Sequence, residues 1–303
     1  MNNLQQIAGS AFNNNMASCI QIENLSKKFG KFCLNIPSLC IPKGFATALI
    51  GENGAGKTSL LNILGGIRLD YNGTVTYFDG ETDEATIREN IGYTSSSGYF
   101  LPHWTIKNIG EITPLLFDHF HLDRYEALCT ELGIAGENKK ISKLSDGMRM
   151  KAALACVFAR DTNALLLDEP ASPLDPLMRD KLCHMIREYL EKGNGEKSVL
   201  FSTHNIADME NVTDYAVIMA NGTVVEQGFV EDLKEKYVLV KGELSGKDQA
   251  MPLLIGFSSH SYGFEGLCLS DDLDKLAGLD IAVETPTLSQ ISVAVLKQHT
   301  CLN

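Results

Sequence analysis

The stretch Ala46-Thr47-Ala48-Leu49-Ile50-Gly51-Glu52-Asn53-Gly54-Ala55-Gly56-Lys57-Thr58-Ser59-Leu60-Leu61-Asn62-Ile63-Leu64 decides how the rest of the chain is read. Gly51, Gly56, Lys57 and Thr58 satisfy the phosphate-loop spacing G-x-x-x-x-G-K-[ST]. The five residues before Gly51 form a short apolar run of buried-strand type, and Ser59 to Leu64 have helical spacing. Strand, glycine loop and helix in that order turn successive backbone N–H groups toward a phosphate chain. Gly51, Gly54 and Gly56 permit torsions and a close approach that side chains forbid. The helix start behind them has N–H groups without partners and about half a positive charge. Lys57 adds a charge for the β- and γ-phosphates, and the Thr58 hydroxyl suits Mg²⁺.

Working outward, the chain has 303 residues and 44% hydrophobic content, enough for one large domain or two modest ones. Its net charge of -12 argues against a nucleic-acid partner, since phosphate-backbone binders are usually basic. No run approaches the ~20 apolar residues that span a bilayer, so any action at a membrane is expected through a partner. The eight cysteines show no C-x-x-C pair, which reads as reduced thiols. His119 and His121 would share one face of a strand, but no second cysteine or histidine pair accompanies them, and a metal site is not expected there. Residues 1–16 read as a polar extension without the basic start or apolar core of a signal peptide, and are set outside the fold.

A second signal lies at Ala164-Leu165-Leu166-Leu167-Asp168-Glu169, an apolar strand run ending in two acids. An Asp at such a strand end can hold Mg²⁺ through water, and a neighbouring Glu can polarise a water that attacks a γ-phosphate. Between the two signals, Leu144-Ser145-Asp146-Gly147-Met148 leads into a helical run to Arg160, with Ser145 a good N-cap. Asp175 follows the acids in ASPLDP. His204 ends the strand run Ser198 to Thr203, where ligands of open α/β sheets collect.

With these residues in place the chain resembles the nucleotide-binding subunit of an ABC transporter over about residues 17 to 240. Phe29 matches the aromatic that stacks on adenine, and Gly51 to Ser59 (with Asn53, Gly54, Ala55 and Gly56) the Walker A loop. Leu144 to Met148 matches the LSGGQ signature, Leu165 to Glu169 Walker B, Ala171 to Asp175 the D-loop, and His204 the switch histidine. Lys57 and Asp168 are 111 residues apart, as in a cassette with an inserted helical subdomain. The resemblance implies an α/β P-loop NTPase fold. A RecA-like core would carry an antiparallel β subdomain and a helical subdomain at about 97–160, with a small α+β extension at 241–303.

The same resemblance implies ATP and Mg²⁺ as ligands, with Thr58 and Asp168 on the metal and Glu169 and His204 as catalytic groups. It implies a second cassette, whose ATP would be met in trans by Ser145 and Gly147, with Asp175 communicating across the dimer. It also implies a membrane subunit, hence a peripheral place on the cytoplasmic face of the membrane. Three positions depart from the family pattern. Ser96 stands at the place of the Q-loop glutamine, where a water is expected to bridge. Asp146 puts a carboxylate near the partner's γ-phosphate, which weakens closure unless it points away. Pro173 replaces the usual D-loop glycine and stiffens that turn. None removes a catalytic group, and the expectation is a working but slow ATPase.

Residues Tyr99 to Lys140 read as mostly helical, with starts near Thr105 and Asp123. The cluster Tyr99, Phe100, Leu101 and Trp104 suits either a groove for a membrane subunit or simple packing. The tail ends in a strand, a turn at Pro286 and a short amphipathic helix from Thr287 or Ser289. LSDGM, FSTH and the run Lys236 to Gly242 are similar to single-cassette subunits of ABC-2-type exporters, including phenol-soluble-modulin peptide exporters. Export of amphipathic or toxic peptides is therefore the expected role. Alternatives are an importer cassette, a soluble ABC-type ATPase, and a non-catalytic regulator. The soluble class is opposed by the single phosphate loop and the lack of a coiled-coil insertion. Glu169 and His204 oppose the regulator.

Overall fold

A computed structural model describes residues 17–95, 100–136 and 138–299. The expected extension 1–16, Ser96 and Tyr99 lie outside the described residues. The chain opens with β1 (Ser18–Phe29) and β2 (Phe32–Pro42), then β3 (Ala46–Ile50) runs into the phosphate loop and α1 (Lys57–Leu64). β4 (Asn72–Tyr77) returns to β1 and completes an antiparallel sheet of order β2-β1-β4. α2 (Glu84–Asn90) leads to β5 (Ile91–Thr94).

The helical subdomain follows as α3 (Ile106–Ile112), α4 (Leu122–Glu131) and α5 (Asp146–Phe158). Thr105 caps α3 in a capping box with Asn108, and α4 starts one residue before Asp123. Helix α5 is two-faced. Met150, Leu154 and Val157 enter the main core, while Ala152, Ala155 and Cys156, with Ala159 just past the helix end, enter the subdomain's own core. Both stripes have 3–4 residue spacing, so one helix welds the subdomain to the body. Phe100 and Trp104 pack against that subdomain core, with Leu101 exposed.

The chain then returns through β6 (Ala164–Leu167), α6 (Pro176–Lys192), β7 (Ser198–Thr203), β8 (Tyr215–Ala220) and β9 (Thr223–Phe229). The central sheet has the order β5-β6-β7-β3-β8-β9, parallel except for the β8–β9 pair. Strands β3, β6, β7 and β8 are buried at every residue, as parallel strands covered on both faces must be. Their side chains alternate between two cores. Ala46, Ala48, Ile50, Leu165 and Leu167 face α5 and α6, while Leu49, Ala164 and Leu166 face α1 and the antiparallel sheet.

The tail begins with α7 (Val230–Lys236) and β10 (Tyr237–Gly242), so the boundary expected at 240 falls inside a strand. With α8 (Lys247–Ala250), β11 (Ile255–His260), β12 (Gly263–Leu269) and β13 (Ile281–Glu284) it builds an antiparallel sheet of order β11-β12-β10-β13. The last helix, α9 (Leu288–His299), buries Leu288, Ile291, Ala294 and Val295 in the same core that α5 and α6 cover. The extension is thereby part of the body.

Candidate functional site

The order β6-β7-β3 places three strand ends side by side. The phosphate loop follows β3, Asp168 and Glu169 follow β6, and His204 follows β7. In a parallel sheet these C-terminal ends face one way, so residues far apart in sequence converge without any further device. The backbone of Gly51 donates to Thr203 O at 3.3 Å, which closes the loop onto the neighbouring strand end.

The loop needs its glycines for two reasons. Gly54 and Gly56 have φ of 87° and 105°, in the left-handed region. A Cβ on Gly51 would stand 2.5 Å from Met219 O. Glu52, Asn53 and Gly54 are exposed, Ala55 is buried, and Thr58 and Ser59 are half-buried in the first turn of α1. The Lys57 ammonium folds back over the loop, donating to Gly51 O at 2.6 Å and Glu52 O at 3.2 Å. Burial holds its pKa below the ordinary lysine value, opposed by the Glu169 carboxylate 3.4 Å away.

The Thr58 hydroxyl donates to both carboxylate oxygens of Asp168 at 3.1 Å. Asp168 is fully buried, and Ser202 Oγ donates to its Oδ1 at 2.7 Å. The same Ser202 oxygen accepts the Glu169 N–H at 2.8 Å. One hydroxyl thus fixes both acids. Glu169 itself has φ 49°, a left-handed torsion that costs a side-chain-bearing residue about 1–3 kcal/mol. That torsion accompanies a carboxylate shared between Lys57 and His204, whose Nδ1 lies 2.8 Å from Glu169 Oε2.

Thr58 and Asp168 set two hard oxygen donors side by side, where they could hold a cation. That fits Mg²⁺, which takes one or two protein ligands and keeps waters and phosphate oxygens for the rest. When bound there, Mg²⁺ would supply positive charge to a phosphate chain lying on the Lys57 loop. Among the described residues no cluster of three or more His, Cys, Asp or Glu forms a metal site. His121 pairs with Asp161 at 2.6 Å.

Ser145 caps α5 by accepting the Met148 N–H at 3.3 Å. Gly147 lies against the turn after Glu169, where a Cβ would meet Pro173 O at 2.9 Å. Asp146 forms an ion pair with Arg149, which also donates to Leu144 O at 3.1 Å. The carboxylate that the sequence alone presented as a bare negative charge is therefore compensated within its own helix turn. Asp175 caps α6 through the Met178 N–H at 3.0 Å. A cleft of about 340 Å³ is lined by Asn53, Asp146, Arg149, Glu169, Pro173 and His204, so the phosphate loop, the start of α5 and the segments that follow β6 and β7 share one opening.

Phe29 ends β1, half-buried, 6.1 Å from the Phe32 ring and with the Arg68 guanidinium 5.2 Å over its face. Phe32 touches the phosphate loop, since its ring edge would lie 2.9 Å from a Cβ on Gly56. Sequence reasoning missed Phe32 and Ser202. The first follows Phe29 by one hairpin turn, and the second sits in β7, two residues before His204.

A profile of the family described as ABC transporter matches residues 34–172. The tungstate uptake system ATP-binding protein TupC of Peptoclostridium acidaminophilum is 33% identical over 213 residues, covering 68% of this chain and 97% of that protein. The arginine transport ATP-binding protein ArtM of Bacillus subtilis (strain 168) is 30% identical over 220 residues, covering 69% and 90%. A dimeric structure of MJ0796, a bacterial ABC transporter cassette, shares the fold with a TM-score of 0.60 at 23% identity, covering 69% of this chain and 98% of that one.

Proposed function

The chain belongs to the ABC transporter ATP-binding proteins, and from that premise we propose how its residues drive transport through a separate membrane subunit. It is an ATPase that uses Mg²⁺. The observation that carries the reading is the convergence of Lys57, Asp168, Glu169 and His204 at three adjacent strand ends. In the proposed reaction the loop amides and Lys57 bind the β- and γ-phosphates, and Phe29 stacks on the base. Glu169 orients and polarises the attacking water. His204, already hydrogen-bonded to Glu169, contacts the γ-phosphate.

Two such chains, or this chain and a related one, close head to tail on two ATP molecules. Ser145 and Gly147 of each then meet the γ-phosphate held by the other, and Asp175 lies at the junction. The exposure of the α5 start and the dimeric MJ0796 cassette support this arrangement. Moving an open/closed equilibrium from 1:99 to 99:1 takes about 5.5 kcal/mol, or roughly 2.7 kcal/mol per ATP. A few charge-assisted hydrogen bonds of about 1.5–3 kcal/mol supply that. Hydrolysis removes them and reopens the pair.

Two readings of direction have support. The likeness to an uptake protein, TupC, favours an importer cassette. LSDGM, FSTH and the Lys236–Gly242 run favour an exporter of amphipathic or toxic peptides with an ABC-2-type membrane subunit. The last of these features is strand β10 of the extension, so it speaks for a shared tail more than for a direction. No helix among the described residues is long and apolar enough to cross a membrane.

The test of the catalytic reading is Mg²⁺-dependent phosphate release by the purified chain with its membrane partner. Turnover is expected, and its absence, or equal turnover by Glu169→Gln, overturns the reading. Direction is tested in vesicles of known orientation with ATP supplied on one side only. Accumulation on the cassette side means uptake, and accumulation on the opposite side means export.

A further inference from the structure

Arg179, in the first turns of α6, belongs to none of the motifs above. Its guanidinium reaches in two directions. On one side Nε donates to Ala171 O at 3.2 Å and Leu174 O at 2.9 Å, the carbonyls of the turn that follows Glu169. On the other side Nη1 meets Asp208 Oδ1 at 2.7 Å. Asp208 passes the connection on, because its Oδ2 accepts from Asn205 Nδ2 at 3.0 Å. Asn205 directly follows His204, and its backbone is held from both ends by the Thr203 hydroxyl at 3.0 Å. His204 then returns to Glu169 at 2.8 Å, while the Ser172 N–H donates to Glu169 O at 3.2 Å.

These contacts close a ring that runs Glu169, Ala171 and Leu174, Arg179, Asp208, Asn205, His204 and back to Glu169. We propose that Arg179 is a positioning residue for hydrolysis, locking the turn after Glu169 and the segment carrying His204 into one geometry. The inference rests on the reading that Glu169 and His204 act on the γ-phosphate. The physical case is that Glu169 has an unfavourable left-handed torsion, which persists only where surrounding contacts over-determine it. Arg179 supplies such contacts from outside the site.

The side chains of Arg179 and Asp208 are only about a quarter exposed, at 27% and 25%. Both carbonyl contacts come from the guanidinium, whose planar fork serves acceptors on two sides at once. A lysine ammonium, a point donor on a flexible stem, cannot span them in the same way. The ring also ties the two halves of the site across strands that are adjacent in the sheet, β6 and β7, so a shift in one is felt by the other.

The experiment compares steady-state ATP hydrolysis and nucleotide binding by the full chain with Arg179→Ala, Arg179→Lys, Asp208→Asn and the Ala/Asn double variant. A misplacement of about 1 Å costs up to roughly a hundredfold in rate, so Arg179→Ala is expected to lower kcat about ten- to a hundredfold. KM and nucleotide affinity are expected to stay within about twofold, because the phosphate loop is untouched. Asp208→Asn should act in the same direction, Arg179→Lys should be intermediate, and the double variant should be no worse than Arg179→Ala. An unchanged kcat, a proportional rise in KM, or additive losses in the double variant overturns the inference. Should Arg179→Ala fail to fold, Arg179→Lys and Asp208→Asn are judged by the same kcat and KM criterion. Glu169→Gln is the separate control, since full turnover in that variant removes the underlying hydrolysis reading whatever Arg179 does.

Discussion

The Lys57 ammonium lies 3.4 Å from the Glu169 carboxylate, so the cation of the phosphate loop and the acid of the neighbouring strand neutralise one another in this structure. A γ-phosphate that engages Lys57 must take over from that carboxylate. In the proposed reaction Glu169 therefore competes with the substrate for one cation while serving its hydrolysis, and His204 is the partner left to it.

Glu169→Gln is expected to separate these two effects. The amide has no charge to offer Lys57, so ATP affinity should rise about tenfold, which corresponds to roughly 1.4 kcal/mol. Turnover should fall by a hundredfold or more with the loss of the water-polarising carboxylate. A fluorescent-nucleotide titration beside a phosphate-release assay checks both, and weaker binding would contradict the competition.

Burial lowers the Lys57 pKa, and Glu169 pulls against that shift. The sign for stability follows from linkage. Between the depressed folded value and the ordinary unfolded value the unfolded chain binds more protons, so this lysine's contribution to stability rises with pH across that window. ATP acts oppositely, since a polyanion on the loop draws the pKa back up. Nucleotide binding at alkaline pH should take up protons and weaken as pH increases. Calorimetry in two buffers of different ionisation enthalpy should reveal the uptake, and Lys57→Arg, which stays charged, should abolish it.

Ser202 donates to Asp168 and accepts from the Glu169 N–H, so Ser202→Ala strips a partner from each. A buried N–H without a partner costs about 1–3 kcal/mol. Urea denaturation should show a loss of that order, and kcat should drop without a matching loss of nucleotide affinity. Wild-type turnover in this variant would mean that the two acids are held by other contacts.

Gly147→Ala places a methyl group 2.9 Å from Pro173 O, and that oxygen is backbone and cannot swing aside. The start of α5 and the turn after Glu169 must separate. The expected result is normal ATP binding by the single chain but impaired ATP-dependent dimer formation in a Glu169→Gln background, read by analytical ultracentrifugation.

Ile291 is fully buried on α9 and shares its core with Ile50, Leu165 and Phe201. Ile291→Ala should destabilise the whole body by about 2–5 kcal/mol. The check is whether the cassette and the extension lose structure together in urea. An unchanged midpoint would show that the extension merely rests on the surface.

The phosphate loop was legible because its chemistry is local. Strand, glycines, lysine and helix start are consecutive, and nothing distant is needed to shape them. The helix starts at Thr105 and Ser145 are local in the same sense, each a side chain meeting an N–H three residues on. Asp146 was legible only in half. Its carboxylate stands out in LSDGM, while the Arg149 that neutralises it lies three residues later, a spacing at which helical charges pair and which a search for motifs passes over.

The sequence by itself determined the family, the nucleotide chemistry and the strand-loop-helix order at 46–64, because each of these is written in contiguous runs of about five to twenty residues. Tertiary structure alone decided that Ser202 serves both acids, that Arg179 ties the turn after Glu169 to the His204 segment, and that α9 completes the core of the cassette. The reason is physical. A hydrogen bond or an apolar contact between distant residues depends on which strand ends the sheet sets side by side, and no local preference of either residue encodes its partner.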